Sequence, residues 1–465
     1  MKENRTILFV IPDGVGIRNY LYSSIITHIK STAQIHFWTT LPETAVKEVE
    51  KLHSVDIGYT HFTLPKESLR TRLFREASTY ARLLHNSKIL KNNTIIENWN
   101  KVSSSLKLKV LYFISEVIGK QASKKYKNIL RLEEKSKKYW DKNLVNYYKS
   151  QLKLLKPTTI FITHQRVAFL NAICIAAKEL GIKVICTIYS WDNTPKASLA
   201  IKTDKYLVWS YYMKRELSAL YPEIPEDSIV VTGTPQFEFY LESQRQISRA
   251  DFAQKYQLNE HQKWICFSGD DEKTSPFDPK YLEDVAEAVN AIPEKDRPQI
   301  IFRRCPVDVT DRYNYVFQKY SNIITPISPV WNTDAKSWGA VYPKMEDINL
   351  LVNIAFHCEF VINVGSTMAH DFAVYNKPCF YINYNQNSTS IWSVEKIYNF
   401  QHFRSMGQLD AVGWFNSKAE IKEKILLAIS NPEKIAKDKQ AWMRLIVNHP
   451  LDDNAKLITK ELLDD

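Results

Sequence analysis

With 465 residues, 45% of them hydrophobic and 24% charged, the chain has a globular composition and the length of two or three domains, which excludes disordered and fibrous classes. Its net charge of +11 is concentrated: residues 101–160 hold 15 Lys and Arg against four acids, and the rest of the chain balances. A patch of this kind attracts phosphate-rich surfaces such as an anionic membrane leaflet, a lipid diphosphate or nucleic acid.

The first apolar run is about six residues long and stops at Pro12-Asp13, too short for a signal peptide, and no stretch reaches the roughly 20 apolar residues of a spanning helix. A soluble protein of the cytoplasm, with peripheral membrane contact through the basic segment, is expected. The six cysteines, at 174, 186, 266, 305, 358 and 379, form no CxxC pair and have no close His spacing. Reduced, buried thiols and no structural metal follow.

In chain order, residues 6–11 read as a buried strand, 17–29 as an amphipathic helix, and 35–38 and 55–59 as strands around a helix beginning at Glu43. From about 66 to 155 the strand signal gives way to lysine-rich helices. There Leu106, Val110, Phe113, Ile114, Val117 and Ile118 share one helical face, flanked by Lys101, Lys107, Lys109, Lys120, Lys124 and Lys125. Such a face fits either packing on neighbouring helices or a membrane surface.

The α/β alternation resumes with strands at 159–163, 183–187, 206–209 and 228–232 and helices at 168–180 and up to about 220. After a connector over 233–260 without strand signal, a second series has strands at 264–268, 300–303, 323–324, 360–364 and 379–384. Its helices fall near 281–292, 345–356, 367–375 and 418–430, and two more, at 432–447 and 454–463, follow the last strand. The expected fold is α/β: two Rossmann-like, doubly wound parallel-sheet domains over 1–235 and 236–430, a helical insertion in the first, and C-terminal helices over 431–465. Ligands of such folds bind in a crevice at strand C-terminal ends.

The strongest local signal is Asn363-Val-Gly365-Ser366-Thr367, at the end of a buried strand and the start of a helix, with Asp371 one turn further on and Lys377-Pro378 beyond. Backbone N–H groups and hydroxyls at such a turn suit phosphate, although Gly-Ser-Thr also caps helices well. Arg303-Arg304, at another strand end, suit a clamp on phosphate or a structural salt bridge. Gly14-Val-Gly16 follows the first strand, but Asn19 stands where a dinucleotide fingerprint has its third glycine, so a nicotinamide site is rejected. The aromatic residues Trp191, Trp209, Tyr211 and Tyr212 read as structural.

Gly365-Ser366-Thr367 with Asp371 and Lys377-Pro378, Ser190-Trp-Asp192-Asn193, the run 206–214 and Val231-Thr-Gly233-Thr234-Pro-Gln236 together resemble GT-B glycosyltransferases of bacterial surface polysaccharide (capsule and lipopolysaccharide) biosynthesis, over roughly residues 155–400. The resemblance implies a nucleotide diphosphate sugar held mainly by the C-terminal domain, on Gly365, Ser366, Thr367, Asp371, Arg303 and Arg304, with Gly233 and Thr234 at the end of the first domain. It implies a saccharide or lipid-linked acceptor against Gly14, Gly16 and Arg18, with the nucleotide-sugar as co-substrate, no separate cofactor and no metal. Related glycerophosphotransferases and epimerases carry a His-Pro pair where this chain has Cys305-Pro306.

Transfer with inversion needs a general base at the acceptor hydroxyl. Asp13, His164 and Asp192 sit at strand ends of the first domain and are the candidates, the two aspartates ahead of the histidine. Val364 stands where a paired-glutamate retaining group has its first Glu, which tilts the reading towards inversion. A nucleotide-sugar 2-epimerase of the same fold is the second enzyme reading, although the epimerases' arginine- and glutamate-bearing first loop is not reproduced. A non-catalytic membrane-binding protein is the third. Nucleic acid is set aside, because the basic block has neither RRM nor zinc-finger spacing.

Overall fold

The structure, a computed structural model, describes residues 5–62, 65–101, 105–197, 199–332, 341–387 and 390–464. In the first half, β1 (Thr6–Ile11), β2 (Gln34–Thr39), β3 (Gly58–His61), β4 (Thr159–Ile162), β5 (Lys183–Thr187), β6 (Lys205–Val208) and β7 (Ile229–Val231) pair in parallel in the order β3-β2-β1-β4-β5-β6-β7. In the second, β8 (Trp264–Ser268), β9 (Gln299–Arg303), β10 (Ile324–Ile327), β13 (Val361–Asn363), β14 (Cys379–Ile382) and β15 (Gly413–Phe415) pair in parallel in the order β10-β9-β8-β13-β14-β15. A small antiparallel hairpin, β11 (Trp331–Asn332) with β12 (Tyr342–Pro343), lies between them in sequence.

Helices cover both faces of each sheet, so the central strands bury both sets of side chains and read as apolar runs. Every residue of β1 is buried, as is every residue of β8 and β14. Both sheets are two doubly wound units of the kind expected, and in each the strand order reverses at one point: between β1 and β4, and between β8 and β13. Crevices open at the carboxyl ends of strands where this happens.

Departures from expectation are local. The helix expected over 17–29 is a wide five-residue turn, Ile17–Leu21, followed by a short helix, Ile25–Ile29. Ser23 and Ser24 interrupt it: the Ser23 hydroxyl donates to the Tyr20 carbonyl at 3.1 Å, and the Ser24 N–H donates to Glu238 at 2.6 Å. Strand β3 starts three residues later than expected. β15, three residues long, is too short to show a pattern. β10 runs on through Pro326, tolerated because β10 is an edge strand.

The insertion folds as α1 (Leu69–Ile89), α2 (Leu106–Ala122), α3 (Tyr126–Lys138) and α4 (Lys142–Leu155). α1 and α2 approach so closely that a Cβ on Gly119 would lie 2.7 Å from the Ala77 carbonyl oxygen. Arg82, 2% exposed, pairs with Glu133 inside the block and ties the block to the first domain through Glu223. Of the six residues expected on the apolar face of α2, Ile118 packs on the core of the insertion, whereas Leu106, Val110, Phe113, Ile114 and Val117 are exposed. Lys124 and Lys125 are exposed too. Five cysteines are buried, Cys305 is partly exposed, and none is in a disulfide.

The two halves are held together at several places. The last helix, Asn454–Leu463, returns to the first domain, where Glu461 pairs with Lys205. The turn before α1's successor segment 93–98 docks on the second domain, with Asn92 donating to the Asn399 carbonyl at 3.0 Å and Arg404 to the Leu90 carbonyl at 2.7 Å.

Candidate active site

The reversal point of the first sheet places Asp13, just past β1, beside His164, just past β4. The Asp13 carboxylate meets His164 Nδ1 at 2.5 Å and also accepts the Val15 N–H at 3.1 Å. A carboxylate can only accept, so Nδ1 carries a hydrogen, and in the neutral ring Nε2 is then the acceptor. That Nε2 has no hydrogen-bond partner. Tyr189 braces the ring edge-on, with centroids 4.3 Å apart. The pair therefore holds an oriented, buried and unpartnered ring nitrogen near the carboxyl ends of the strands, outside the lining of the interdomain cavity.

The third candidate base is differently occupied. Asp192 accepts from Ser190 at 2.6 Å and forms an ion pair with Lys196. Burial alone would raise its carboxyl, but the charges of Lys196 and His402 and the bonds from Lys196 and Ser190 outweigh it and hold the group below the usual carboxylate range. A group so held is a poor proton acceptor, which reverses the expected ranking of Asp192 ahead of His164.

In the second sheet, Gly365 follows β13 at the reversal point. Its φ of +79° favours glycine, and a Cβ there would lie 2.8 Å from the Phe403 ring. Gly365 and Asp192, from opposite domains, line one cavity of about 220 Å³, with Lys196, Thr274 and His402 also on its wall. The segment 94–98 of the insertion contributes Thr94, Ile95 and Asn98 to the same cavity. Thr367 is exposed and Ser366 partly so. The Ser366 N–H is already donated to Asn363 Oδ1 at 2.8 Å, and the helix that follows, α5 (Met368–Val374), has only seven residues. The turn thus offers fewer free donors than the sequence pattern implies.

Asp371 and Arg18, expected on the donor and acceptor sides, come together across the domain boundary. Burial raises the Asp371 carboxyl, while the Arg18 charge and the adjacent Tyr240 hydroxyl act against that rise. Arg18 Nε is itself buried without a hydrogen-bond partner.

Other expected ligand contacts are taken up by the protein itself. Arg303, 3% exposed, makes a two-pronged salt bridge to Asp347 at 2.7 and 2.8 Å, and Asp347 also accepts from the Val330 N–H and from Trp331 Nε1. The salt bridge commits Arg303 Nη2 to the fold, while Nη1 is buried without a hydrogen-bond partner. Arg304 donates to the Asp308 carbonyl at 3.3 Å and to that of Thr310. Gly233 lies under Asn454, whose amide would overlap any Cβ, and the carbonyl of buried Thr234 accepts from Asn454 Nδ2, although the Thr234 hydroxyl has no hydrogen-bond partner. Gly14 and Gly16 are needed for packing instead of acceptor contact: a Cβ on Gly14 would overlap the Val341 carbonyl oxygen, and one on Gly16 the Thr163 hydroxyl.

Two features escaped the sequence reading. Asp270 follows β8, the strand paired with β13, and its Oδ2 has no partner. Burial, then the charges of Asp278 and Asp271, push its carboxyl well up, and Arg312 opposes this. Its position after the first strand of the second sheet was the available signal. His370 and His402 were hidden by sequence distance. They flank Trp191 edge-on at 5.2 and 4.7 Å, and burial lowers them to about 3 and about 4. Trp191 and Trp209 are buried, as a structural role requires, whereas Tyr211 is exposed. Among the described residues, no group of three or more His, Cys, Asp or Glu side chains is placed to hold a metal.

Solved structures match along the whole chain. A putative UDP-N-acetylglucosamine 2-epimerase from Listeria monocytogenes has 9% identity and a TM-score of 0.56 over 99% of this chain and 97% of its own. A glycosyltransferase from Rickettsia africae has 13% identity and a TM-score of 0.53 over 100% of both chains. The wall teichoic acid polymerase TagF has 10% identity and a TM-score of 0.50 over 99% of this chain and 88% of its own. The chain has the GT-B fold. At these identities the likeness establishes the fold alone, one shared by glycosyltransferases and 2-epimerases. No family model matches the chain, and no curated protein matches it. In GT-B terms, the Asp13–His164 pair and the Gly365 turn sit at the reversal points of the two sheets, and the charge of Arg18 in the first domain acts on Asp371 in the second.

Proposed function

We propose that the protein is an inverting glycosyltransferase that moves a sugar from a nucleoside diphosphate sugar to a saccharide acceptor, free or lipid-linked, in surface polysaccharide synthesis. The observation that carries this reading is His164, bonded through Nδ1 to Asp13 and leaving Nε2 unpartnered. In the reaction, Nε2 takes the proton of the acceptor hydroxyl as its oxygen bonds the anomeric carbon. The bond from that carbon to the diphosphate breaks, and its electron pair leaves with the nucleoside diphosphate. Asp13 keeps the imidazole in the right tautomer and stabilises the imidazolium.

The diphosphate is assigned to the Gly365 turn, with the Ser366 and Thr367 hydroxyls beside it, and no metal is invoked. Asp371 and Arg18 close the site from the two domains. The acceptor is assigned to the first-domain side, next to His164.

The solved 2-epimerases give the rival reading its support. Chromatographic separation of nucleotides after incubation with a panel of UDP-, GDP-, CDP- and TDP-sugars distinguishes them. Free nucleoside diphosphate formed only when saccharide acceptors are added supports transfer. An epimerised sugar nucleotide without release of diphosphate supports the 2-epimerase. No turnover, and no rise in melting temperature with any nucleotide, overturns both.

A further inference from the structure

Helix α2 is apolar on two opposite faces. Leu111, Tyr112, Ser115, Gly119 and Ala122 are buried against the rest of the insertion. On the other side, Leu106, Val110, Phe113, Ile114 and Val117, at spacings of four, seven, eight and eleven residues from the first, are 77%, 50%, 66%, 40% and 56% exposed. Large apolar residues rarely line a whole helix face in water without a partner. Lys107, Lys109 and Lys120 are exposed along the margins of this face. The acid of α2, Glu116, is turned away from it, accepting from Trp99 Nε1 at 2.8 Å and pairing with Lys101.

We propose that α2 is an interfacial anchor that lies in the plane of an anionic membrane, with this face inserted among the acyl chains and its lysines at the headgroups. Charge complementarity selects the occupant. The face lies in a segment with a net excess of eleven positive charges, which a neutral protein groove or a second copy of the same basic surface would not match. No helix among the described residues is long and apolar enough to cross a membrane, so the contact is peripheral. The anchor is connected to the site: the Glu116–Trp99 bond fixes α2 to the segment 94–98 that lines the interdomain cavity. It deepens the lipid-linked form of the proposed reaction, and it is tested without catalysis, so failure of one leaves the other standing.

The test is co-sedimentation of the full chain with vesicles of phosphatidylcholine containing phosphatidylglycerol, and with phosphatidylcholine alone. Wild type is expected to bind the anionic vesicles, less so as salt rises. The double variant Phe113→Ser/Val117→Ser, at exposed positions where folding should not suffer, is expected to bind at least about tenfold more weakly. Lys107→Glu/Lys109→Glu/Lys120→Glu is expected to lose the preference for anionic lipid. Insertion is read separately by an environment-sensitive dye on Phe113→Cys in a Cys305→Ser background, whose emission should shift to the blue on vesicles.

Equal sedimentation of wild type and the serine variant overturns the proposal, as does absence of binding to anionic vesicles. So does a wild-type dimer in gel filtration that the serine variant abolishes together with no vesicle binding, since a second copy is then the occupant.

Discussion

The two sheets place charged groups at the same topological address, the carboxyl ends of strands near the order reversal, yet use them differently. In the first sheet Asp13 and His164 are bonded to each other and leave one ring nitrogen spare. In the second, Arg303 Nη2 is held by both carboxylate oxygens of Asp347, which also accepts from a backbone N–H and an indole, while Arg303 Nη1 is buried without a partner. Position at a strand end therefore does not identify a working residue. What distinguishes the two is the charge partner: Arg303 is neutralised by a buried carboxylate, whereas the dyad leaves a basic ring nitrogen without a partner.

The sharpest way to break this comparison is at the dyad. His164→Ala is expected to lower kcat by about 10²–10⁴-fold, the usual range for a general base, with the melting temperature little changed. Asp13→Asn keeps a side chain of the same size and is expected to slow the same step by no more than that, with donor affinity unaltered. Steady-state kinetics with whichever donor the nucleotide-sugar panel selects checks both. An Asp192→Asn variant that loses as much activity as His164→Ala would return the base to Asp192.

The second sheet is tested through stability. Arg303→Met leaves Asp347 buried without its charge partner and is expected to destabilise the fold by about 3–5 kcal/mol in urea unfolding. The double variant Arg303→Met/Asp347→Leu should recover much of that loss, because removing both charges removes the desolvation cost as well. If Arg303 gripped phosphate instead, the single variant would keep its stability and lose nucleotide affinity.

Most of the fold was legible because buried parallel strands are written as continuous apolar runs. Residues 183–187 and 264–268 and the helix at 454–463 fall where the pattern puts them. The helix expected over 17–29 was misread because periodicity does not report Ser23 and Ser24 turning to local acceptors and to Glu238, more than 200 residues away. The site was half legible for the same reason. Asp13, His164, Asp192 and Gly365 are marked by their strand ends, but a sequence does not state partners. Only contacts such as Asp192 with Lys196, or Gly14 under Val341, separate a reactive group from a structural one. The α2 face was visible as a pattern with two readings, and the exposure of five of its six residues argues against packing, leaving the membrane reading to the vesicle test.

The smallest expected effect concerns Glu238, which couples the interrupted helix of the first domain to the chain leading into the second. Burial pushes its carboxyl up to about 7, against the bonds from the Ser24 N–H and hydroxyl that favour the charged form. The unfolded group titrates near 4.5. Between these values the folded chain binds a proton that the unfolded chain does not. Its contribution is therefore complete below about pH 4.5 and is lost as pH rises to about 7. Glu238→Gln mimics the protonated acid at every pH. The variant and wild type should unfold alike near pH 4.5, and above about pH 7 the variant should be the more stable by about 1–3 kcal/mol. Contributions from Glu216, His370 and His402 are common to both proteins and cancel in the difference. A gap that is constant with pH would mean that Glu238 stays charged in the folded protein and that Ser24, not burial, sets its state.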